Sequence, residues 1–204
     1  MTQFPAGRLF LLSPASTAGK RARILCSPRA SFELALRMQA PEGESIGTVF
    51  SFLSGLYFRG KLSYARAFAQ PGSAIRVITA DRGLVSPDLR ITLRDLRAMA
   101  RGAIDPERAA YRAPFERDAR ELASELDPLA EVVLLGSIAT DKYVGVLRQV
   151  FGARLKFPES FVGRGDMSRG GLLLRAVRED RELLYRPLDG AIRRGKRPER
   201  LAKL

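Results

Sequence analysis

The apolar positions of this chain fall into short unbroken runs separated by longer stretches with helical spacing. Arg8–Leu12 is apolar after its first residue, ends at Ser13-Pro14 and reads as a buried first strand. Ala74–Thr79 reads as the next central strand, Glu131–Gly136 as the clearest buried strand, and Arg154–Phe157 as a short further one. Between them, Ser31–Met38 is compatible with a helix, Pro41–Gly47 is a turn-rich break, and Thr48–Phe52 is short and apolar. Leu62, Ala65 and Phe68 predict a helix over about 60–70, with Arg59, Lys61 and Arg66 near its start or on its exposed side. Ala80–Val85 reads as a tight turn. Thr92 is a good N-cap for a helix through Arg101, and Asp95 three residues on completes a capping-box pattern.

Residues 104–113 are polar and irregular, and Pro114–Leu126 predicts an amphipathic helix whose alternating charges form a solvated face. Thr140 or Asp141 caps a helix carrying Val146, Leu147 and Val150. Leu172–Val177 and Glu182–Tyr185 suggest a C-terminal hairpin, with a helix over 167–178 as the competing reading. Strands alternating with helices imply an α/β fold: a single domain over 1–204, a central largely parallel sheet flanked by helices, and a basic tail at 190–204. In such sheets ligands gather at the carboxyl ends of the strands. The loops Ser13–Thr17, Asp81–Arg82, Ser137–Tyr143 and Gly163–Arg169 are therefore expected to meet.

Charge changes the picture from fold to partner. The 204 residues carry a formal net charge of +13, and their 46% hydrophobic content is enough for a sizeable core. Such a charge predicts a polyanionic partner, DNA above all. Residues 1–30 contain Arg8, Lys20, Arg21, Arg23 and Arg29 with no acid, and the segment after Gly190 sets Arg193, Arg194, Lys196, Arg197, Arg200 and Lys203 against Glu199 alone. Both segments look like phosphate-contacting surfaces. The chain has no histidine, which removes the Ser-His-Asp triad and histidine metal sites. Cys26 is the only cysteine, so a disulfide framework or thiolate cluster is excluded, and Cys26 reads as a small buried hydrophobe. Acid–base chemistry must come from carboxylates, lysine or tyrosine. No apolar run approaches the ~20 residues of a membrane span and no signal peptide is evident. The expectation is a cytoplasmic protein with no membrane, metal or cofactor partner.

Two loops invite a phosphate-binding reading. Ser13-Pro14-Ala15-Ser16-Thr17-Ala18-Gly19-Lys20-Arg21 has the look of a nucleotide-binding loop, but Pro14 stands where the first glycine belongs and Arg21 where a magnesium-holding hydroxyl belongs. An NTPase is thereby excluded, and a looser anion site on these hydroxyls and Lys20 remains. Phe161–Gly171 holds four glycines, Arg164, Arg169, Ser168 and a lone acid, Asp166. Glycine-rich backbone can approach a ligand closely, and arginine supplies planar donors for phosphate or a base edge.

The same loops resemble the YaaA family, bacterial proteins linked to peroxide stress and DNA binding. That family opens with a strand followed by Ser-Pro-Ala-x-Thr, here Ser13-Pro14-Ala15-Ser16-Thr17, with Ser16 where the family usually has lysine. A later Ser-Asp-Glu-Tyr-like segment corresponds to Thr140-Asp141-Lys142-Tyr143, and Ala-Arg-Gly-x-Met-Ser-Arg to Gly163–Arg169. The resemblance implies an α/β sandwich distantly similar to uracil-DNA-glycosylase-type enzymes, with catalytic groups on loops after the first strand and near the C-terminus.

Two expectations follow. In the first, the protein is a DNA glycosylase acting on a damaged or hypermodified base, including bases of phage DNA. Asp166, Asp141 and then Asp81 are its candidate carboxylates for an oxocarbenium-like sugar. Tyr57 or Tyr143 would stack on the flipped base. Ser13, Thr17, Arg59, Ser137 and Ser168 complete the substrate contacts, and Lys20, Arg21, Arg23, Lys61, Arg164, Arg169, Arg193, Arg194, Lys196 and Arg197 the DNA contacts. In the second, the same basic loops clamp DNA without chemistry, as in an oxidative-stress DNA-binding protein.

Overall fold

The computed structural model describes residues 7–199, so Arg200 and Lys203 of the basic tail lie outside the described residues. A six-stranded sheet runs through the centre, in the order β4-β3-β1-β6-β7-β8. Its strands are β1 (Leu9–Leu12), β3 (Ala74–Ile78), β4 (Leu84–Val85), β6 (Val132–Leu135), β7 (Leu155–Pro158) and β8 (Tyr185–Pro187). The four inner strands are parallel, with Leu9 opposite both Ala74 and Val132; the edge strands β4 and β8 are antiparallel. A separate two-stranded ribbon pairs β2 (Glu44–Ser45) with β5 (Arg90–Ile91).

Parallel strands covered on both faces need apolar residues at every position. β1 and β6 meet this requirement with Leu-Phe-Leu-Leu and Val-Val-Leu-Leu, all buried. Their alternate residues enter two cores. Phe10, Leu12, Val133 and Leu135 face α1 (Lys20–Leu25), α2 (Glu33–Gln39), α3 (Ile46–Ser54), α4 (Leu56–Ala67) and α8 (Asp166–Arg178). Leu9, Leu11, Val132 and Leu134 face α6 (Ala109–Glu125) and α7 (Asp141–Phe151).

Chain order reverses at β1. The strand next in sequence within the sheet, β3, lies on one side of it, and β6 lies on the other. Open α/β sheets form a crevice at the carboxyl end of such a switch point. The loop beginning at Ser13 is therefore at the position where a ligand site is expected.

Three local expectations are corrected. The first is the C-terminal hairpin: Leu172–Val177 lies inside α8, so the competing helical reading is the one realised. Leu173 and Ala176 are buried on one face, and Asp180 takes a positive φ of 45° where the chain leaves the helix. The antiparallel partner of β7 is Tyr185–Pro187. Second, α6 begins at Ala109 and carries Pro114 in its interior. Proline there removes one helical hydrogen bond, but Tyr111 offsets the loss. Its ring is buried, stacks on Phe115 at 5.3 Å, and donates its hydroxyl to the Lys142 carbonyl at 3.0 Å.

The third correction concerns Phe161–Gly171, which is mostly not a loop: α8 starts at Asp166. Gly60 and Gly170 bring α4 and α8 together. A Cβ at Gly170 would lie 2.8 Å from the backbone of Leu56 and Tyr57, and one at Gly60 would lie 2.8 Å from the Gly170 carbonyl. That glycine serves helix packing rather than an anion cradle.

The capping box is realised in full. Thr92 Oγ1 accepts from the Asp95 amide at 3.4 Å, and the Thr92 amide donates to Asp95 Oδ2 at 2.8 Å, opening α5 (Leu93–Arg101). Arg82 also donates to Asp95 at 2.6 Å, and these contacts hold the Asp95 carboxyl down at about 2. At α7 the cap position is Thr140, whose side chain makes no capping hydrogen bond.

Candidate active site

A cleft of about 560 Å³ opens at the carboxyl end of β1. One side is the loop Ser13–Ala18. Ser137, Lys142 and Tyr143 come from the loop after β6 and the first turn of α7. Phe50, Leu53 and Tyr57 come from α3 and α4. The far wall is Met99 of α5 with Gly102–Ile104, and Asp166 closes the rim. Ser13, Thr17, Tyr57, Ser137, Tyr143 and Asp166, drawn from four separated parts of the sequence, thus share one cavity. Asp166 is the only carboxylate among the described lining residues, and its side chain is 71% exposed.

Behind Ser13 sits a feature that the expected exposed position of Lys61 hides. Lys61 is fully buried. Its Nζ donates to Ser13 Oγ at 2.9 Å and to the Ser13 carbonyl. The ammonium lies 4.4 Å from the Tyr57 ring centroid and 4.9 Å from that of Phe58. Burial brings its pKa down to about 7; Asp166 pulls it up and Arg169 pushes it further down. Ser13 also bonds Tyr143, whose hydroxyl donates to the Ser137 carbonyl at 2.9 Å. The run Lys61, Ser13, Tyr143, Ser137 is therefore continuous, and Gly136 leaves room for it: a Cβ there would lie 2.9 Å from Ser13 Cβ and 3.1 Å from the Tyr143 hydroxyl. Burial raises the pKa of both Tyr57 and Tyr143 above the ordinary phenol value. The buried Tyr57 hydroxyl makes no hydrogen bond of ordinary geometry, and the positive charge of Arg169 partly opposes the upward effect of burial on its pKa.

Sequence pattern could have revealed Lys61. Tyr57, Gly60, Lys61, Tyr64 and Ala65 fall on one helical stripe, and all five are buried. A lysine on the stripe that also carries two tyrosines is a buried cation.

The remaining candidates divide. Asp141 leads α7 but its carboxylate takes Arg193 Nη1 at 2.9 Å, outside the cleft; its neighbours Lys142 and Tyr143 line the cleft instead. Asp81 lies 3.6 Å from Arg82 and is not a lining residue, although Ala80 is. Arg59 belongs to a separate shallow cleft with Thr48, Ser51 and Arg66. Ser168 accepts from Arg164 Nη1 at 3.1 Å.

Several DNA-contact candidates are occupied internally. Lys61 cannot reach a phosphate. Arg169 is buried, donating to the Phe161 carbonyl at 3.2 Å and Asp166 at 3.4 Å. Arg164 donates to the Ser160 carbonyl at 3.0 Å, Arg193 to the Ile138 carbonyl at 2.6 Å, and Arg194 to the Ala139 carbonyl at 3.4 Å. Arg21 is exposed and donates to the Phe52 carbonyl at 3.0 Å. Lys20, Arg23, Lys196 and Arg197 are exposed. Tyr57 and Tyr143 are wall residues rather than free stacking platforms, being 5% and 6% exposed. The apolar part of the cleft's lining comes from Phe50, Leu53, Met99 and Ile104, of which Phe50 and Met99 are as deeply buried as the tyrosines.

Among the described residues no group of three or more histidine, cysteine or acidic side chains is placed to hold a metal ion, and no helix is long and apolar enough to cross a membrane. Comparisons with protein-family models, with curated proteins and with solved structures return no match.

Proposed function

We propose that the cleft hydrolyses the N-glycosidic bond of a damaged or modified base in DNA. The observation that carries this reading is Asp166, a solvent-facing carboxylate alone at the rim of a cavity at the sheet's switch point. Loss of a base leaves a cationic, oxocarbenium-like sugar, which one fixed carboxylate stabilises; histidine is not required. The cavity lies within the ~300–1,000 Å³ typical of small-ligand sites. Its apolar wall suits the faces of a flipped base, and the Ser13, Thr17 and Ser137 hydroxyls suit its edge. Lys142 at the lip and the exposed Lys20, Arg21 and Arg23 nearby in sequence to the Ser13–Ala18 loop suit the flanking phosphates. The likeness of Ser13–Thr17, Thr140–Tyr143 and Gly163–Arg169 to the YaaA family points to the same partner.

The test is incubation with single- and double-stranded oligonucleotides carrying a panel of damaged and modified bases, followed by alkali. Strand cleavage at a modified position is expected, and Asp166→Asn should lower it by roughly 10² or more while binding persists. Absence of cleavage on every substrate contradicts the enzyme reading. The formal charge of +13 then favours the second reading, a DNA-binding protein without chemistry.

A further inference from the structure

Lys61 and Ser13 have no role in stabilising a sugar cation, yet they set a fully buried amine directly behind the cleft. A buried ammonium without a carboxylate partner is expensive. Among the described residues Lys61 forms no ion pair, and its hydrogen bonds go to Ser13 alone. The groups facing it are few. Tyr57 and Phe58 come from its own helix, Asp166 and Arg169 from α8, Ser13 from the end of β1, and Tyr143 of α7 stands on the far side of Ser13. Ser13 lines the cleft whereas Lys61 does not, so Lys61 can act on a ligand only through the Ser13 hydroxyl.

We propose that Lys61 and Ser13 form a proton relay that protonates the departing base. The proposal rests on the N-glycosyl hydrolase reading and adds its leaving-group chemistry. The C1′–N bond breaks and its electron pair leaves with the base. The base nitrogen takes the Ser13 hydroxyl proton, and Ser13 Oγ takes one from the Lys61 ammonium. Water adds to C1′ and loses its proton to Asp166 and then to solvent; once the base has left, solvent in the cleft returns a proton through the Ser13 hydroxyl to Lys61. The net change is substrate plus water giving an abasic sugar and the free, protonated base. Tyr143, on the far side of Ser13, commits its own proton to the Ser137 carbonyl and so does not compete with the Lys61-to-Ser13 direction. Burial supports the role: an amine brought to about 7 gives up a proton near neutrality, which no histidine is present to do. Ser13 is the catalytic residue and Lys61 the positioning and proton-supplying one.

The experiment is the single-turnover excision rate of the full chain as a function of pH, in H₂O and D₂O, on whichever duplex of the panel is cleaved. The wild-type rate should fall on the alkaline side through about 7 and slow in D₂O. Ser13→Ala should lose roughly 10²-fold in rate together with that alkaline limb and the isotope effect. Lys61→Met, which keeps the side-chain volume, is the second variant and should lose the same limb. Excision that keeps both limb and isotope effect in folded Ser13→Ala or Lys61→Met overturns the relay and leaves the hydrolase reading standing. No excision of any base by the wild type overturns both.

Discussion

Lys61 occupies a core position that an apolar residue would fill at lower cost. In the folded protein it releases its proton at about 7; in the unfolded chain it does so near its ordinary value of 10.5. Between those values the unfolded state binds more protons, so stability rises with pH. From pH about 7 to about 9.5, below the range in which the buried tyrosines titrate, unfolding free energy should rise by on the order of a few kcal/mol. Urea titrations at several pH values measure it. In Lys61→Met the slope should vanish; a slope that survives the substitution assigns it elsewhere. Asp95 gives a slope of the same sign in acid, because its pKa is also lowered on folding, although here the charged form is favoured by its contacts. Its carboxyl is held at about 2, chiefly by Arg82, so its contribution is present above the ordinary carboxylate range and is lost as pH falls toward 2. Thr92→Ala removes the other half of that box and should cost about 1 kcal/mol in the same titration at neutral pH.

At the scale of elements, the site depends on how closely α4 and α8 approach. Tyr57 and Lys61 sit on one helix and Asp166 and Arg169 on the other, and Gly60 and Gly170 set their separation. Gly170→Ala would place a Cβ 2.8 Å from α4 backbone, which cannot swing aside as a side chain can. A loss of about 1–3 kcal/mol is expected, with Asp166 displaced from the cleft, so thermal unfolding and excision should fall together. These helices also show what sequence pattern conveys and what it hides. β1 and β6 were legible because strands buried on two faces are uninterrupted apolar runs, and the Thr92–Asp95 cap because it is a local pattern. Leu172–Val177 was ambiguous because a short apolar run fits either period. The start of α6 was hidden because Tyr111 outweighs Pro114 only through tertiary contacts. Ser13, Thr17, Ser137, Tyr143 and Asp166 were placeable from post-strand loops alone. The buried state of Lys61 and Arg169, and the diversion of Asp141 to Arg193, depend on neighbours distant in sequence.

At the scale of the whole molecule, the charge of +13 is less available than composition suggests. Arg169, Arg164 and Arg193 are engaged by backbone carbonyls, whereas Lys20, Arg23, Lys142, Lys196 and Arg197 are among the exposed cations. DNA affinity should fall steeply with salt, and a double substitution Lys20→Ala, Arg23→Ala should reduce the slope of log affinity against log salt by about 2. A flat salt response contradicts a phosphate-dominated interface. The central claim, that the cleft stabilises a cationic sugar beside Asp166, can be tested without knowing the base. Two duplexes, one with a pyrrolidine and one with a tetrahydrofuran abasic analogue, differ in the positive charge at the sugar ring. Wild-type protein should bind the pyrrolidine duplex at least about 10²-fold more tightly, and Asp166→Asn should abolish that preference. Equal affinity of the wild type for the two duplexes would contradict the account.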